Sequence, residues 1–143
     1  MMLRQRMVDS WHAFRALPLW LQAWVALILM PANAAGLLFL DTFSGRAISL
    51  ALVLVVIANV ALMLYHRGMN RDMSVVHLLA WLPLEILLLG ALGGVWGDDT
   101  LSRPVWALTV TVVMVNAISL FFDLIDAWRW WHGERMTLHP KHH

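Results

Sequence analysis

No cysteine occurs among the 143 residues, and that single absence removes disulfides, thiolate metal sites, iron–sulfur clusters and cysteine nucleophiles together. Charge is scarce as well. Charged residues make up 13% of the chain and hydrophobic ones 61%, respectively below and above the shares of ordinary soluble domains. A net charge of +1, with the basic residues scattered over loops and tails, gives no reason to expect a nucleic-acid partner. Catalytic patterns are also missing: there is no HExxH or other zinc motif, and no serine, histidine and aspartate set at usable spacing. The chain is therefore not expected to be an enzyme, and no metal or cofactor is expected. Haem held between two histidines fits poorly. Only His77 lies within an apolar run, His66 stands at the end of one, and His12, His132, His139, His142 and His143 fall in the tails.

What the chain has is apolar length. A helix needs about 20 mainly apolar residues to cross the hydrocarbon layer, where no water can satisfy a free peptide group. Four runs reach that length, at residues 18–40, 47–65, 75–96 and 104–125. In the first, a basic segment, an apolar run and Ala32-Asn33-Ala34 have the layout of a signal peptide, but the run continues to Leu40 and is read as a membrane helix. The connections DTFSGR, HRGMNRDMS and GDDTLSR are short and rich in turn formers. The expected fold is all-α: a polytopic membrane protein built as an antiparallel up-down bundle of four transmembrane helices, one domain over residues 1–143 with short tails.

Arg4, Arg6 and Arg15 precede the first run, His66, Arg67 and Arg71 lie between the second and third, and Arg129, Arg135 and Lys141 follow the fourth. The other two loops offer only Arg46 and Arg103, beside Asp41, Asp98 and Asp99. The positive-inside bias therefore predicts a multi-pass protein of the cytoplasmic (inner) membrane with both termini cytoplasmic. Trp20, Trp24, Trp96, Trp106, Trp128, Trp130 and Trp131 cluster near the ends of the runs as an aromatic belt, and only Trp81 lies deeper.

Polar side chains inside a span are costly in lipid and should point into the bundle or at a partner. Thr109, Asn116 and Asp123 recur every seven residues, so they share one line along the fourth helix, with Ser119 and Asp126 close by. Gln22 and Asn33, eleven residues apart, share a face of the first helix with Ala26 and Gly36. Asn33-Ala34, Leu38-Phe39 and Asp41 are echoed by Asn116-Ala117, Leu120-Phe121 and Asp123, the pattern of a weak inverted repeat.

At about 1.5 Å per residue, Glu85 lies about 12 Å from His77, and Asn116 about 10 Å from Asp123. Depth thus sorts the polar groups into a candidate midplane site of Glu85, Asn116, Asn59 and Asn33, and a candidate cytoplasmic-edge relay of His77, Asp123 and His66. At Glu85 a carboxyl in lipid suits a proton or cation site, or a hydrogen bond to Asn59 or Asn116. Pro31 and Pro83 interrupt two spans, and Gly90 with Gly94 forms a small-residue pair suited to close helix contact. Two functions follow. The first expectation is a small accessory or scaffold subunit acting through helix contacts, embedded in the lipid bilayer as a homo-oligomer or in a larger membrane complex. The alternative is a proton- or cation-coupled carrier using the midplane site.

Overall fold

A computed structural model describes residues 1–66, 69–70, 72–133 and 137–138. Arg67, Arg71, Arg135, Lys141, His139, His142 and His143 of the sequence reading lie outside the described residues. The structure is helical apart from a two-residue backbone pairing, in which Met69–Asn70 runs antiparallel to Thr137–Leu138. Four helices are long and apolar enough to cross a membrane: Leu19–Phe39 (span 1), Phe43–His66 (span 2), Met73–Leu92 (span 3) and Arg103–Trp131 (span 4). At most 39% of the most apolar window of any span is buried within the chain, which leaves broad apolar faces for lipid.

The span ends differ from hydropathy wherever a cap, rather than an apolar residue, decides where the helix stops. Span 2 begins at Phe43, four residues before the predicted start, because two of its first N–H groups find acceptors. Phe43 N donates to Asp98 Oδ2 (3.0 Å) and Gly45 N to Thr42 Oγ1 (3.1 Å). Span 3 stops at Leu92 instead of running to Trp96. Val95 N closes onto Gly90 O (2.8 Å) and Gly94 N onto Ala91 O (3.3 Å), a Schellman turn that needs the left-handed φ of +74° at Gly94. Trp96 then folds back, its Nε1 donating to Leu87 O at 2.7 Å and its ring lying against Gly90. The Gly90 and Gly94 pair is therefore used within the chain. Span 4 starts behind Ser102, whose Oγ accepts from Val105 N, and continues past residue 125 to Trp131, since nothing breaks the helix before Gly133 at φ +95°.

Span 1 is irregular. Leu19–Ala23 is α-helical, Trp24–Leu29 is a π-helix, Met30–Ala34 returns to α and Ala35–Phe39 tightens to a 3-10 helix. Pro31 has no N–H to give the preceding turn, and the ladder widens just before it. Asn33 Nδ2 donates to the carbonyl of Leu29, the last residue of the π-helical stretch, at 2.9 Å.

Residues expected as a tail form a fifth helix, Met2–Arg15. Arg6 donates to Leu64 O (2.7 Å) and Ser10 Oγ to Met63 O (3.1 Å), so this helix caps the last carbonyls of span 2. Gln22, expected on an inward stripe with Asn33, instead ties the turn into span 1. Its Nε2 donates to Arg15 O and Leu17 O, and its Oε1 accepts from Arg15.

The core is centred on Ile48, Trp81, Leu84, Leu88 and Val112, drawn from spans 2, 3 and 4. Span 1 closes against span 2 at Gly36, where a Cβ would stand 2.7 Å from Ile48 Cγ2. The start of span 2 meets the loop after span 3 through Phe43 and Asp98, while Asn59, near the end of span 2, meets His77 in the first turns of span 3.

Candidate functional site

Spans 1, 3 and 4 enclose a cleft of about 470 Å³ at the end of the bundle where spans 1 and 3 begin. Its wall on span 1 is apolar and falls largely on the π-helical segment, with Trp24, Val25 and Leu29 following Trp20. Span 3 contributes Ser74, His77 and Trp81, and span 4 contributes Ser119, Phe122 and Asp123, with Asp126 and Arg129 nearer the helix end. An apolar hollow of this size with a few convergent polar groups has the character of a small-molecule site.

The polar groups on its wall are connected. Asn59 Nδ2 lies 2.6 Å from His77 Nε2, and His77 Nδ1 lies 3.1 Å from Asp123 Oδ2, so spans 2, 3 and 4 are joined through one imidazole. The ring stacks on Trp81, one turn further along span 3, with centroids 4.7 Å apart and planes at 26°. With the Asn59 amide turned so that Nδ2 faces the ring, Nε2 is the acceptor and Nδ1–H the donor to the carboxylate. Asn59 Oδ1 is buried without a partner among the described residues. If Nε2 gains a proton, a half-turn of the Asn59 amide brings that oxygen onto it. The chain of three groups can therefore hold His77 in either protonation state with little movement.

The remaining predicted site residues are rearranged. Asn33 and Asn116 are fully buried and bonded reciprocally, Nδ2 of Asn33 to Oδ1 of Asn116 at 2.8 Å and the return bond at 3.1 Å. Equivalent positions of the two echoed segments thus meet each other. Both amides are satisfied, so this pair is a closed joint between spans 1 and 4. Asn59 does not join it: span 2 runs on to His66 and leaves Asn59 only about 10 Å from that end, level with His77. Glu85 bonds to neither asparagine. Its Oε1 is buried without a partner among the described residues, and the residue is not on the cleft wall. His66 sets its ring edge-on to Tyr65, and the imidazole of His77 has its two nitrogens engaged by Asn59 and Asp123.

Thr109, Asn116 and Ser119 are buried, as the seven-residue stripe requires. Thr109 Oγ1 donates to Val105 O within its own helix, and Ser119 Oγ accepts from Trp24 Nε1 at 2.9 Å. Among the wall residues that the sequence does not single out as a site are Trp24 and Ser74. Trp24 lies a full turn deeper than Trp20, which separates it from the belt.

Asn33→Leu should lower stability by about 1–2 kcal/mol, because it strands the buried Asn116 amide. The double change with Asn116→Leu should recover part of that loss. Unfolding midpoints of the three variants in one detergent would check this. Compared with protein-family models, with curated proteins and with solved structures, the chain matches none.

Proposed function

We propose that the chain is a small carrier of the cytoplasmic membrane, an antiparallel up-down bundle with both termini in the cytoplasm, which moves a small molecule through the cleft in exchange with protons. The observation that carries this reading is the Asn59–His77–Asp123 chain set into the wall of a cleft large enough for a small molecule. A titratable ring and a carboxylate inside an apolar span are expensive, and at the edge of a cavity they can meet both water and a ligand. The irregular span 1 adds support, since non-helical backbone at membrane depth is tolerated mainly where it faces protein or a cavity. Basic residues at the cleft end, among them Arg4 and Arg15, against Asp41, Asp98 and Asp99 at the other, favour the cytoplasmic placement of that end.

In this reading the proton site lies at His77 and Asp123 and not at the midplane, where Asn33 and Asn116 satisfy each other. The accessory-subunit reading has less support, because, of the small-residue pair suited to self-association, Gly90 is covered by Trp96 of the same chain and Gly94 lies beyond the helix, in its closing turn. The test is accumulation of labelled solutes by proteoliposomes holding the full chain, driven by an imposed pH gradient, over a panel of amines, carboxylates and neutral compounds. Gradient-dependent accumulation of one class is expected. Background uptake of every class would overturn the carrier reading.

A further inference from the structure

The cleft's chemistry also bears on what it would take. Its body is aromatic: Trp20, Trp24, Trp81 and Phe122 stand on three of its sides, with the rings of Trp20 and Phe122 6.2 Å apart and inclined at 54°. Flat faces of this kind attract cations as well as apolar groups. Asp123 supplies the charge. One of its oxygens, Oδ2, accepts from His77, while Oδ1 has no hydrogen-bond partner among the described residues.

Among the described residues that line the cleft, the other charged ones are Asp126 and Arg129, of opposite sign and both on span 4. Span 1 contributes only uncharged side chains, and span 2 reaches His77 through the neutral Asn59. Asp123 therefore faces a neutral ring when His77 holds one proton and a cationic ring when it holds two.

We propose that the cleft binds an aromatic organic monocation, with its charge at Asp123 Oδ1 and its rings against the tryptophans, and that this cation and a proton on His77 Nε2 exclude each other. Both neutralise the same carboxylate 3.1 Å from the ring, and reciprocal linkage requires that whichever binds first weakens the other. The inference rests on the carrier reading for movement of the cation across the membrane, but not for its binding.

The experiment is equilibrium dialysis of tetraphenylphosphonium against the full chain in lipid nanodiscs between pH 5 and 8. Tetraphenylborate, of the same shape and opposite charge, serves as comparison. The cation should bind and the anion should not, with affinity for the cation falling as the pH is lowered. Asp123→Asn should weaken binding by about 100-fold, Asp123→Glu should retain it, and His77→Asn should bind without the pH dependence. Equal binding of both ions, or a pH dependence that survives in His77→Asn, overturns the proposal. Its failure is separable from failure of the carrier reading. Movement of a neutral or anionic solute in the vesicle assay would leave the carrier and overturn this inference, whereas cation binding without any movement would do the reverse.

Discussion

Asp123→Asn is expected to bring gradient-driven accumulation down to background, a loss of about 100-fold or more, since a charge-assisted contact of about 3 kcal/mol is removed from the site. Asparagine keeps an oxygen where Oδ2 now accepts from His77 Nδ1, so the bond at 3.1 Å and the stack on Trp81 survive the change. Only the charge is lost. That separates an electrostatic role from a merely structural one, which an isosteric amide would fill nearly as well. Asp41, exposed in the loop after span 1, is the control: Asp41→Asn should leave accumulation unchanged. Wild-type accumulation by the Asp123 variant would show that the carboxylate charge plays no part.

Gly45→Ala should be among the most destabilising single changes, costing about 1–3 kcal/mol as overpacking against atoms that cannot yield. The added Cβ would run into the backbone carbonyl of Phe39 and stand 2.9 Å from Phe39 Cβ. A flexible side chain could move aside, but here the tight connection between spans 1 and 2 would have to open. That connection also holds the start of span 2, through Thr42 Oγ1 on Gly45 N and Thr42 O on Arg46 N. Gly93→Ala makes the contrast, because its Cβ would meet Leu89 O at 3.4 Å, an ordinary contact. A lowered unfolding midpoint for Gly45→Ala beside a nearly unchanged one for Gly93→Ala is the expected pattern. Equal effects would mean that the tight connection is not what makes Gly45 necessary.

The four apolar helices were legible in the sequence because lipid-facing length and composition are properties of each segment alone. Their ends were not, since caps such as Asp98 on Phe43 and the turn at Gly94 depend on a second segment or on a backbone angle. The inward stripe of span 4 was legible for the same reason as the spans: a seven-residue period keeps Thr109, Asn116 and Asp123 on one line whatever they pack against. Partner choice was not. Asn59 and Asn33 each had plausible partners at similar depth, and the structure settles the matter with His77 for one and Asn116 for the other. The helix Met2–Arg15 was not legible, because its arginines interrupt the apolar pattern. Its Leu3, Met7 and Trp11, spaced four apart, form an exposed stripe characteristic of a helix at an interface. The cleft itself had no sequence signature, because an empty volume belongs to the arrangement of three helices and to no residue.

Whether the cleft is open to water or closed by packing is directly measurable, because the chain has no cysteine of its own. Ser74 on the cleft wall and Ala51 in the core are equally buried, each 6% exposed. Only Ser74 lines the cleft. In proteoliposomes, Ser74→Cys should react with a water-soluble, membrane-impermeant maleimide added from the side where spans 1 and 3 begin, while Ala51→Cys stays unmodified. A cysteine at position 74 as inert as one at position 51 would mean that spans 1, 3 and 4 are packed shut, and would contradict the site from which both the carrier and its ligand are argued.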